Sequence, residues 1–417
     1  MALKNRVPLD AVALPVLRLP AGTRTILPQS ELLLGQLAML VASGTAQSKA
    51  DIVSATGLPR STVSGHVDAL KESGVLETSG TRAVPGRGRP ADRLVISSRA
   101  GAVVAIDMGA TRTRIAVAEL NQHIIAMEEM QLDVSIGPEP AIRRIREAVR
   151  HALRRAGRDQ RLHCAVLGLP ARVDSSSGIA VRPSVMPDWD GYPVVSELAE
   201  QLGTHVLAEN DVNLRALGES AVLPADQLPL VSVKIAAGIG AGIVDNSGRI
   251  FRGFDGGAGD LGHIPVSGAD DVLCSCGRRG CLQSVASLPA MARRIGIQAA
   301  SPDTWDDAIT ALFERLSFHD PLAVDVVRVA AEGLGEVLVS VCNLLNPRRI
   351  VLGGGLIEYS DDLLAIVRGA VYSGARPLAS RNLIIEHATL RERGGIAGAL
   401  VLGIEHALET IVGPRRS

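Results

Sequence analysis

The 417-residue sequence contains no uncharged apolar run of the about 18 residues that a membrane-spanning helix needs, which excludes such a helix within it. An apolar stretch near its start, residues 11–17, is short and contains Pro15. This stretch predicts a loose N-terminal arm over residues 1–28 and argues against a signal peptide. We therefore expect a cytoplasmic protein with no membrane partner.

Net charge is also nearly absent, because 43 basic and 44 acidic residues leave a balance of −1. The molecule as a whole therefore has no field that would attract a polyanion. The charge is unevenly distributed, however, since the first 98 residues hold 11 basic and 7 acidic residues. With 47% hydrophobic and 21% charged residues the composition is globular, and the length corresponds to two to four domains of roughly 100–200 residues.

Cysteine is scarce, and the Cys-x-x-Cys pair of dithiol redox proteins is missing, which argues against that chemistry. Cys164 and Cys342 stand in apolar runs and are predicted to be buried thiols. The other three cysteines fall within eight positions, after a Gly-His pair, and one imidazole with three thiolates is the ligand set of a structural zinc site. The alternative is a loop with three free thiols, which oxidise readily. The predicted metal ligands are His263, Cys274, Cys276 and Cys281.

The basic N-terminal segment has the helix order of a helix-turn-helix. Apolar residues at helical spacing predict helices over residues 29–43, 49–56 and 60–73, with a tight glycine-containing turn between the second and the third. The third helix has a polar outer face, which suits it to a DNA groove.

Two short strands, residues 75–78 and 93–96, flank an Arg/Gly/Pro loop over residues 85–90 that has the composition of a wing. We therefore predict a winged helix-turn-helix domain over residues 29–97 that binds operator DNA. The alternative is a small helical bundle with a solvated arginine loop. The predicted DNA contacts are Arg60, Ser61, Thr62, Ser64, His66, Arg87 and Arg89.

From residue 98 to residue 417 the pattern changes to alternating strands and helices, which predicts an α/β body. Glycine-rich turns end three apolar strands, and the first has the form Asp-x-Gly-x-Thr-x-Thr. Such turns let a backbone approach phosphates closely, so they suggest a nucleotide cleft between two lobes; the alternative is ordinary strand-end turns. The candidate nucleotide-binding residues are Asp107, Gly109, Thr111, Thr113, Gly238, Gly240, Gly353 and Gly354.

Asn210 and Asp211 belong to the segment 208–213, which directly follows a predicted strand, residues 205–207. A carboxylate at a strand end can act as general base for a hydroxyl that attacks a phosphoryl group. The alternative is an Asx turn that caps the helix predicted over residues 214–220.

These elements, in this order, resemble the ROK family of repressors and sugar kinases over about residues 29–405. The resemblance implies a body with the two-lobed, actin-like and ribonuclease-H-like ATPase fold, assembled as a homodimer or homotetramer. Family members with an N-terminal winged helix are mostly regulators of sugar metabolism, and members without it are mostly sugar kinases.

The resemblance also implies roles for single residues. Asn210 corresponds to a sugar-binding residue and Asp211 to the catalytic base of the kinases. His263 corresponds to a histidine that holds zinc with one ring nitrogen and a sugar hydroxyl with the other. Asp260 and Gln283 occupy two further ligand-binding positions.

Several positions depart from the family pattern. Asp260 and Gln283 stand where the family has glutamates, and the segment 170–173 reads Pro-Ala-Arg-Val where the family has Pro-Gly-x-Val. The second phosphate turn, usually Gly-Thr-Gly, is Ala-Ala-Gly over residues 236–238, whereas the first turn keeps the kinase form with Arg112 for the usual lysine. One nucleotide-contacting turn is therefore retained and another is altered.

We therefore predict a DNA-binding transcription regulator, a repressor of sugar-related genes, whose kinase-like cleft binds a sugar or sugar derivative. Zn²⁺ is the expected cofactor. The alternative is an ATP-dependent sugar kinase, with or without DNA binding, in which Asp211 is the catalytic base and ATP with Mg²⁺ is required. A third hypothesis is a zinc-stabilised body that reads a different signal.

Overall fold

The computed structural model begins with three helices and a two-stranded hairpin, here called the N-terminal unit. The structure describes residues 14–19, 33–82, 91–157, 161–174, 177–181, 183, 186–298, 305–358 and 361–411. The N-terminal unit consists of α1 (Leu33–Ala42), α2 (Lys49–Thr56), α3 (Arg60–Glu72), β1 (Leu76–Arg82) and β2 (Ala91–Ile96). The strands are longer than predicted, because their antiparallel ladder continues from Leu76 opposite Ile96 to Arg82 opposite Ala91. Residues 83–90, with Arg87 and Arg89 of the predicted wing, lie outside the described residues.

Helix α2 has its predicted bounds because both of its ends are specified locally. The Ser48 hydroxyl accepts a hydrogen bond from the Asp51 N–H at 3.1 Å, which satisfies a donor that the first helical turn leaves free. Gly57 ends the helix with a φ of 69° and donates its N–H to the carbonyl of Val53. Glycine adopts this left-handed conformation without steric cost.

The body contains two sheets, and the first joins a three-stranded antiparallel meander to two parallel strands. Its strand order is β5-β4-β3-β6-β9. The strands are β3 (Ala102–Met108), β4 (Arg112–Glu119), β5 (Ile124–Gln131), β6 (Leu162–Leu169) and β9 (His205–Asn210). A short hairpin, β7 (Arg172–Val173) and β8 (Ala180–Val181), and the helices α4 (Pro138–Arg155) and α5 (Val194–Leu202) accompany it.

The second sheet has the order β11-β10-β12-β13. Its strands are β10 (Leu230–Ile235), β11 (Ile239–Val244), β12 (Arg349–Gly353) and β13 (Ile384–His387). Its helices are α7 (Leu282–Ala286), α8 (Leu288–Arg294), α9 (Trp305–Ser317), α10 (Pro321–Leu345), α11 (Asp361–Gly374) and α12 (Pro377–Ser380). The predicted α/β body is thus confirmed, and β10 has its predicted bounds. Cys164 and Cys342 are buried, as predicted.

Two remaining helices, α6 (Asp211–Ala221) and α13 (Gly394–Glu409), connect the sheets. Helix α13 packs on β3 and β6, α6 packs on β10 and β11, and the two helices pack on each other. Their close approach requires glycine, because a Cβ atom at Gly398 would lie 1.8 Å from the carbonyl oxygen of Leu214. The first residue of α6, Asp211, lines a cleft between the two sheets.

The N-terminal arm differs from the loose segment that the sequence predicts. Leu17 and Leu19 are buried in the hydrophobic cluster that α1, α6 and α13 share. The arm also forms backbone hydrogen bonds, since the Arg18 N–H donates to Ala221. Residues 14–19 pack against the rest of the protein because the side chains of Leu17 and Leu19 enter this shared core.

The N-terminal unit contacts the body through α1 and the C-terminal part of α13. A Cβ atom at Gly35 would lie 2.4 Å from the carbonyl oxygen of Leu408, so the backbones are in direct contact. None of the described helices is long and apolar enough to cross a bilayer.

Candidate ligand cleft and metal site

A cavity of about 1100 Å³ lies between the two sheets. It is lined by all five predicted ligand residues and by three of the eight predicted nucleotide residues. The predicted residues that line it are Thr111, Asn210, Asp211, Gly238, Gly240, Asp260, His263 and Gln283. The predicted nucleotide residues that do not line it are Asp107, Gly109, Thr113, Gly353 and Gly354.

Asn210 is the last residue of β9 and the cap of α6. Its side-chain oxygen accepts the Val212 N–H at 2.9 Å, and its amide nitrogen donates to the Ala171 carbonyl at 2.6 Å. The capping interpretation is therefore confirmed for Asn210. This cap also positions the carboxylate of Asp211 at the edge of the cavity.

The carboxylate of Asp211 is buried and accepts a hydrogen bond from the ammonium group of Lys234. Lys234 lies on β10, where its neighbours across the sheet are Gly240 on one side and Gly353 on the other. The sequence reasoning missed Lys234. The signal was present, since it is a lone charge within an apolar strand and one of only four lysines in the chain.

Two more ion pairs join the first sheet and its accompanying hairpin to segments that follow β11. The guanidinium of Arg172, the first residue of β7, pairs with Asp260. Arg252 donates to Glu209 on β9 at 2.6 Å, and the same carboxylate accepts a hydrogen bond from Asn213 at 2.8 Å. The ligand carboxylate predicted at Asp260 therefore faces a cation before any ligand binds.

The first glycine turn is partly withdrawn from the cleft. Asp107 is buried against the first turn of α13, where a Cβ atom at Gly395 would lie 2.4 Å from its carboxyl carbon. Burial raises the pKa of Asp107, although the charges of Arg215 and Arg114 oppose this. Thr113 is fully buried on β4, and its hydroxyl has no hydrogen-bond partner among the described residues. The prediction that Thr113 contacts a nucleotide therefore disagrees with its position inside the sheet.

The other two glycine turns differ in whether they line the cleft. Gly354 has a φ of 106°, and a Cβ atom there would lie 2.0 Å from the Ile235 carbonyl oxygen, so backbone packing alone requires this glycine. The turn 236–240 does line the cleft, and the Ala236 N–H donates within the turn to Gly238 at 3.0 Å. The Gln283 side-chain oxygen accepts the Ile239 N–H at 3.3 Å.

The four predicted metal ligands converge, with their ligand atoms all within 4.8 Å of one another. The sulfurs of Cys276 and Cys281 are 3.7 Å apart, and the Cys274 sulfur is 3.6 Å from Nδ1 of His263. A tetrahedral zinc ion with Zn–S bonds of about 2.3 Å has ligand atoms about 3.8 Å apart, whereas a disulfide requires about 2.05 Å. The donor set and its spacing therefore fit zinc.

Burial and neighbouring groups shift the pKa values of three of the four predicted metal ligands. Burial raises the pKa of the Cys281 thiol to about 12. At Cys276 burial is outweighed by hydrogen bonds from the Arg278 backbone and the adjacent thiols, so the pKa of Cys276 is lowered. Burial, followed by the charges of Arg172 and Arg278, lowers the pKa of His263 and favours its neutral, metal-binding form.

The candidate DNA surface is the outer side of α3. Arg60 and Ser61 are exposed at its start, and Thr62 is half-buried. Ser64 accepts a hydrogen bond from Lys49 at 2.8 Å, and Nδ1 of His66 donates back to the carbonyl of Thr62 at 2.7 Å. Ser64 and His66 therefore already have hydrogen-bond partners within the N-terminal unit.

Lys49 of α2 and Gly65 of α3 lie beside these residues and were not among the contacts predicted from the sequence. Lys49 pairs with Asp68 at 2.7 Å and so offsets a negative charge on α3. A Cβ atom at Gly65 would have no neighbour within 4 Å, so the helix is open there to close approach.

Comparisons with known proteins match different parts of the chain. The family model described as ROK family matches residues 103–406. A glucokinase of Halalkalibacterium halodurans is 32% identical over 256 residues, which cover 58% of this chain and 77% of that protein. The xylose repressor of Bacillus spizizenii is 26% identical over 370 residues, which cover 87% of this chain and 92% of that protein.

Among solved structures, a ROK family transcriptional regulator, described as a homologue of the Escherichia coli MLC protein, matches with a TM-score of 0.74. The sequence identity is 24%, and the match covers 91% of this chain and 96% of that one. At this identity the likeness establishes the fold, and its coverage extends beyond the body.

Proposed function

Because the chain belongs to the ROK family, we propose that it is a DNA-binding transcription regulator, a repressor of sugar-related genes, that responds to a sugar or sugar derivative. The observation that carries this proposal is the extent of the match to the xylose repressor. Residues 103–417 make up less than the 87% of the chain that the match covers, so the match includes part of the N-terminal unit. The glucokinase match covers 58%.

The N-terminal unit acts in this proposal as a winged helix-turn-helix. Helix α3 enters the major groove, with Arg60, Ser61 and Thr62 at its leading end. The predicted wing, residues 85–90, places Arg87 and Arg89 in the minor groove in this proposal. Operator binding by two such units requires a homodimer or homotetramer. The order of α2, α3 and the hairpin supports this assignment.

The body acts as the sensor, with the two-lobed actin-like fold. Sugar hydroxyls bind at Asp211, Asp260 and Gln283, and Asn210 contributes by holding the start of α6. The ligand changes operator affinity only through its different affinities for two arrangements of the body and the N-terminal unit. Helix α6 supports such coupling, because it begins in the cleft and ends beside the N-terminal arm.

A structural zinc ion organises one wall of the cleft in this proposal. His263, Cys274, Cys276 and Cys281 would hold it, and the ion would stabilise the fold of the loop that carries them. Since Nδ1 of His263 is the nitrogen beside Cys274, Nε2 is left to bind a ligand hydroxyl with the ring orientation held by the metal.

The second candidate function is an ATP-dependent sugar kinase, and Asp211 is the observation in its favour. Its carboxylate is on the cleft wall, where a base for a sugar hydroxyl is needed. Two observations argue against this function. The Lys234 ammonium already pairs with that carboxylate, and the alanines of turn 236–238 supply no hydroxyl that could bind a phosphate. Thr113 is buried away from the cleft as well.

Operator binding tests the proposed function directly. We expect the full-length, zinc-loaded protein to retain specific fragments in a genomic-fragment binding screen. A sugar or sugar derivative should then change its affinity for those fragments. Absence of specific DNA binding, or affinities that no sugar alters, would contradict the proposal, and ATP-dependent release of ADP with a hexose would favour the kinase.

A further inference from the structure

In the cleft, cationic side chains pair with the carboxylates that are expected to bind a sugar. Among the residues that the structure describes, three with cationic side chains line the cavity: Arg172, Lys234 and Arg278. Lys234 and Arg172 neutralise the two candidate sugar-binding carboxylates, Asp211 and Asp260. A hydroxyl group must therefore share each carboxylate with a cation or displace the cation from it.

Lys234 has the more constrained position of the two paired cations. Its side chain is only 23% exposed and that of Asp211 only 6% exposed, whereas the Arg172 side chain is 49% exposed. If a neutral sugar displaced Lys234 from the Asp211 carboxylate, the Lys234 ammonium would be left without an ion-pair partner in a mostly buried position. An unpaired buried charge is strongly unfavourable, so the cleft disfavours that exchange.

A ligand with an acidic group resolves this conflict. Its hydroxyls can bind the Asp211 carboxylate while its own phosphate or carboxylate pairs with the Lys234 ammonium. Without Lys234 the same group would be repelled by Asp211. Lys234 lies between Gly240 and Gly353 in the sheet, where two neighbours without side chains leave the space beside the ammonium uncrowded.

We propose that Lys234 is a specificity-determining residue and that the ligand of this cleft is an anionic sugar derivative, whose phosphate or carboxylate pairs with the Lys234 ammonium while its hydroxyls bind Asp211. This inference rests on the proposed sugar-binding role of the cleft. Arg278 is assigned a lesser role, because its exposed side chain at the edge of the cavity is screened by solvent.

Calorimetric titration of the full-length, zinc-loaded protein tests the inference. The probes are glucose, glucose 6-phosphate, glucuronate, N-acetylglucosamine, N-acetylglucosamine 6-phosphate, xylose and inorganic phosphate. We expect an anionic sugar to bind at least about tenfold more tightly than its neutral parent, as one charge-assisted hydrogen bond allows. A preference shared by glucose 6-phosphate and glucuronate assigns the site to anions in general, and a preference for the phosphate alone assigns it to phosphomonoesters.

Lys234→Met should abolish the preference for the anionic sugar, because it removes the ammonium that pairs with the phosphate or carboxylate. Lys49→Met is the matched control, since it removes another Lys–Asp ion pair in the N-terminal unit. Arg278→Gln should keep most of the preference. Unliganded melting temperatures verify that each variant is folded.

Three results would overturn the inference. These are equal affinities for neutral and anionic sugars, binding of neutral sugars alone, and an anion preference that survives Lys234→Met. An anionic sugar that binds as expected but leaves operator affinity unchanged would contradict the proposed regulatory function and leave this inference standing. If no probe binds, both are wrong.

Discussion

The backbone N–H of Arg18 donates a 2.7 Å hydrogen bond to the carbonyl of Ala221, the last residue of α6. The guanidinium of Arg18 donates a hydrogen bond to the carbonyl of the preceding residue, Ser220, at 3.1 Å. Since α6 begins at Asp211 in the cleft, the N-terminal arm is attached to the far end of the helix that lines the candidate ligand site.

Truncation of a buried arm residue should therefore destabilise the protein. Leu19 is fully buried, and Leu19→Ala should lower the free energy of unfolding by about 2–5 kcal/mol through lost burial and the resulting cavity. Denaturant unfolding measures this change. Val16→Ala is the control, because Val16 is in the same arm and 87% exposed. Equal effects of the two substitutions would contradict the packing of the arm.

A second prediction concerns pH and the stacked rings of His205 and His406, whose centroids are 4.8 Å apart. Burial, and then the neighbouring His205, lower the pKa of His406; His163 adds to this effect and Glu409 opposes it. A depressed pKa means that the folded state binds fewer protons than the unfolded chain. The stabilisation is therefore present above pH 6.5, the ordinary histidine pKa, and is lost as the pH falls below it.

The free energy of unfolding should thus decrease from pH 7 to pH 5, and His406→Gln should make this decrease smaller. His319→Asn, at an exposed position with a left-handed φ of 56°, should leave the slope unchanged. Equal slopes in wild type and His406→Gln would contradict the prediction.

The third prediction concerns the metal. Cys276→Ser should reduce bound zinc toward zero and lower the melting temperature, because a structural ion contributes its binding free energy to folding. Metal analysis of protein purified without chelator measures the zinc content. Cys342→Ala, which removes a buried thiol outside the cluster, should keep the full complement of zinc. Wild-type protein without stoichiometric zinc would contradict the assignment.

The fourth prediction concerns the proposed wing. Arg87→Ala combined with Arg89→Ala should weaken operator binding and reduce its salt dependence by up to about two phosphate contacts. Binding assays at two salt concentrations measure both changes. Arg143→Ala combined with Arg328→Ala removes two exposed arginines of the body and should have no such effect. Wild-type binding by the wing variant at both salt concentrations would show that the wing does not contact DNA.

The fifth prediction concerns turnover. Because Lys234 occupies the Asp211 carboxylate, and because the missing hydroxyl in turn 236–238 can cost about 1–3 kcal/mol of phosphate binding, we expect very slow sugar phosphorylation or none. Asp211→Asn should mainly weaken ligand binding, measured by calorimetry. Robust phosphorylation of any sugar, abolished by Asp211→Asn, would instead establish the kinase.

Local sequence signals were sufficient for several elements. The bounds of α2 follow from Ser48 and Gly57 at its two ends. The metal cluster could be predicted because its ligands lie between His263 and Cys281, so a short loop can bring them together. Caps, turns and closely spaced ligands depend on residues a few positions apart, and their geometry is therefore limited by the chain itself.

The sequence by itself thus determined the α/β class of the body, the helix order of the N-terminal unit and the four residues of the candidate metal site. Only the tertiary structure decided that Asp211 is paired with Lys234, that Thr113 is turned into the sheet, and that the arm packs against α6. The physical reason is that a charge or an apolar side chain has many suitable partners in the sequence. The packing of the two sheets around α6 and α13 selects which of those partners are within reach.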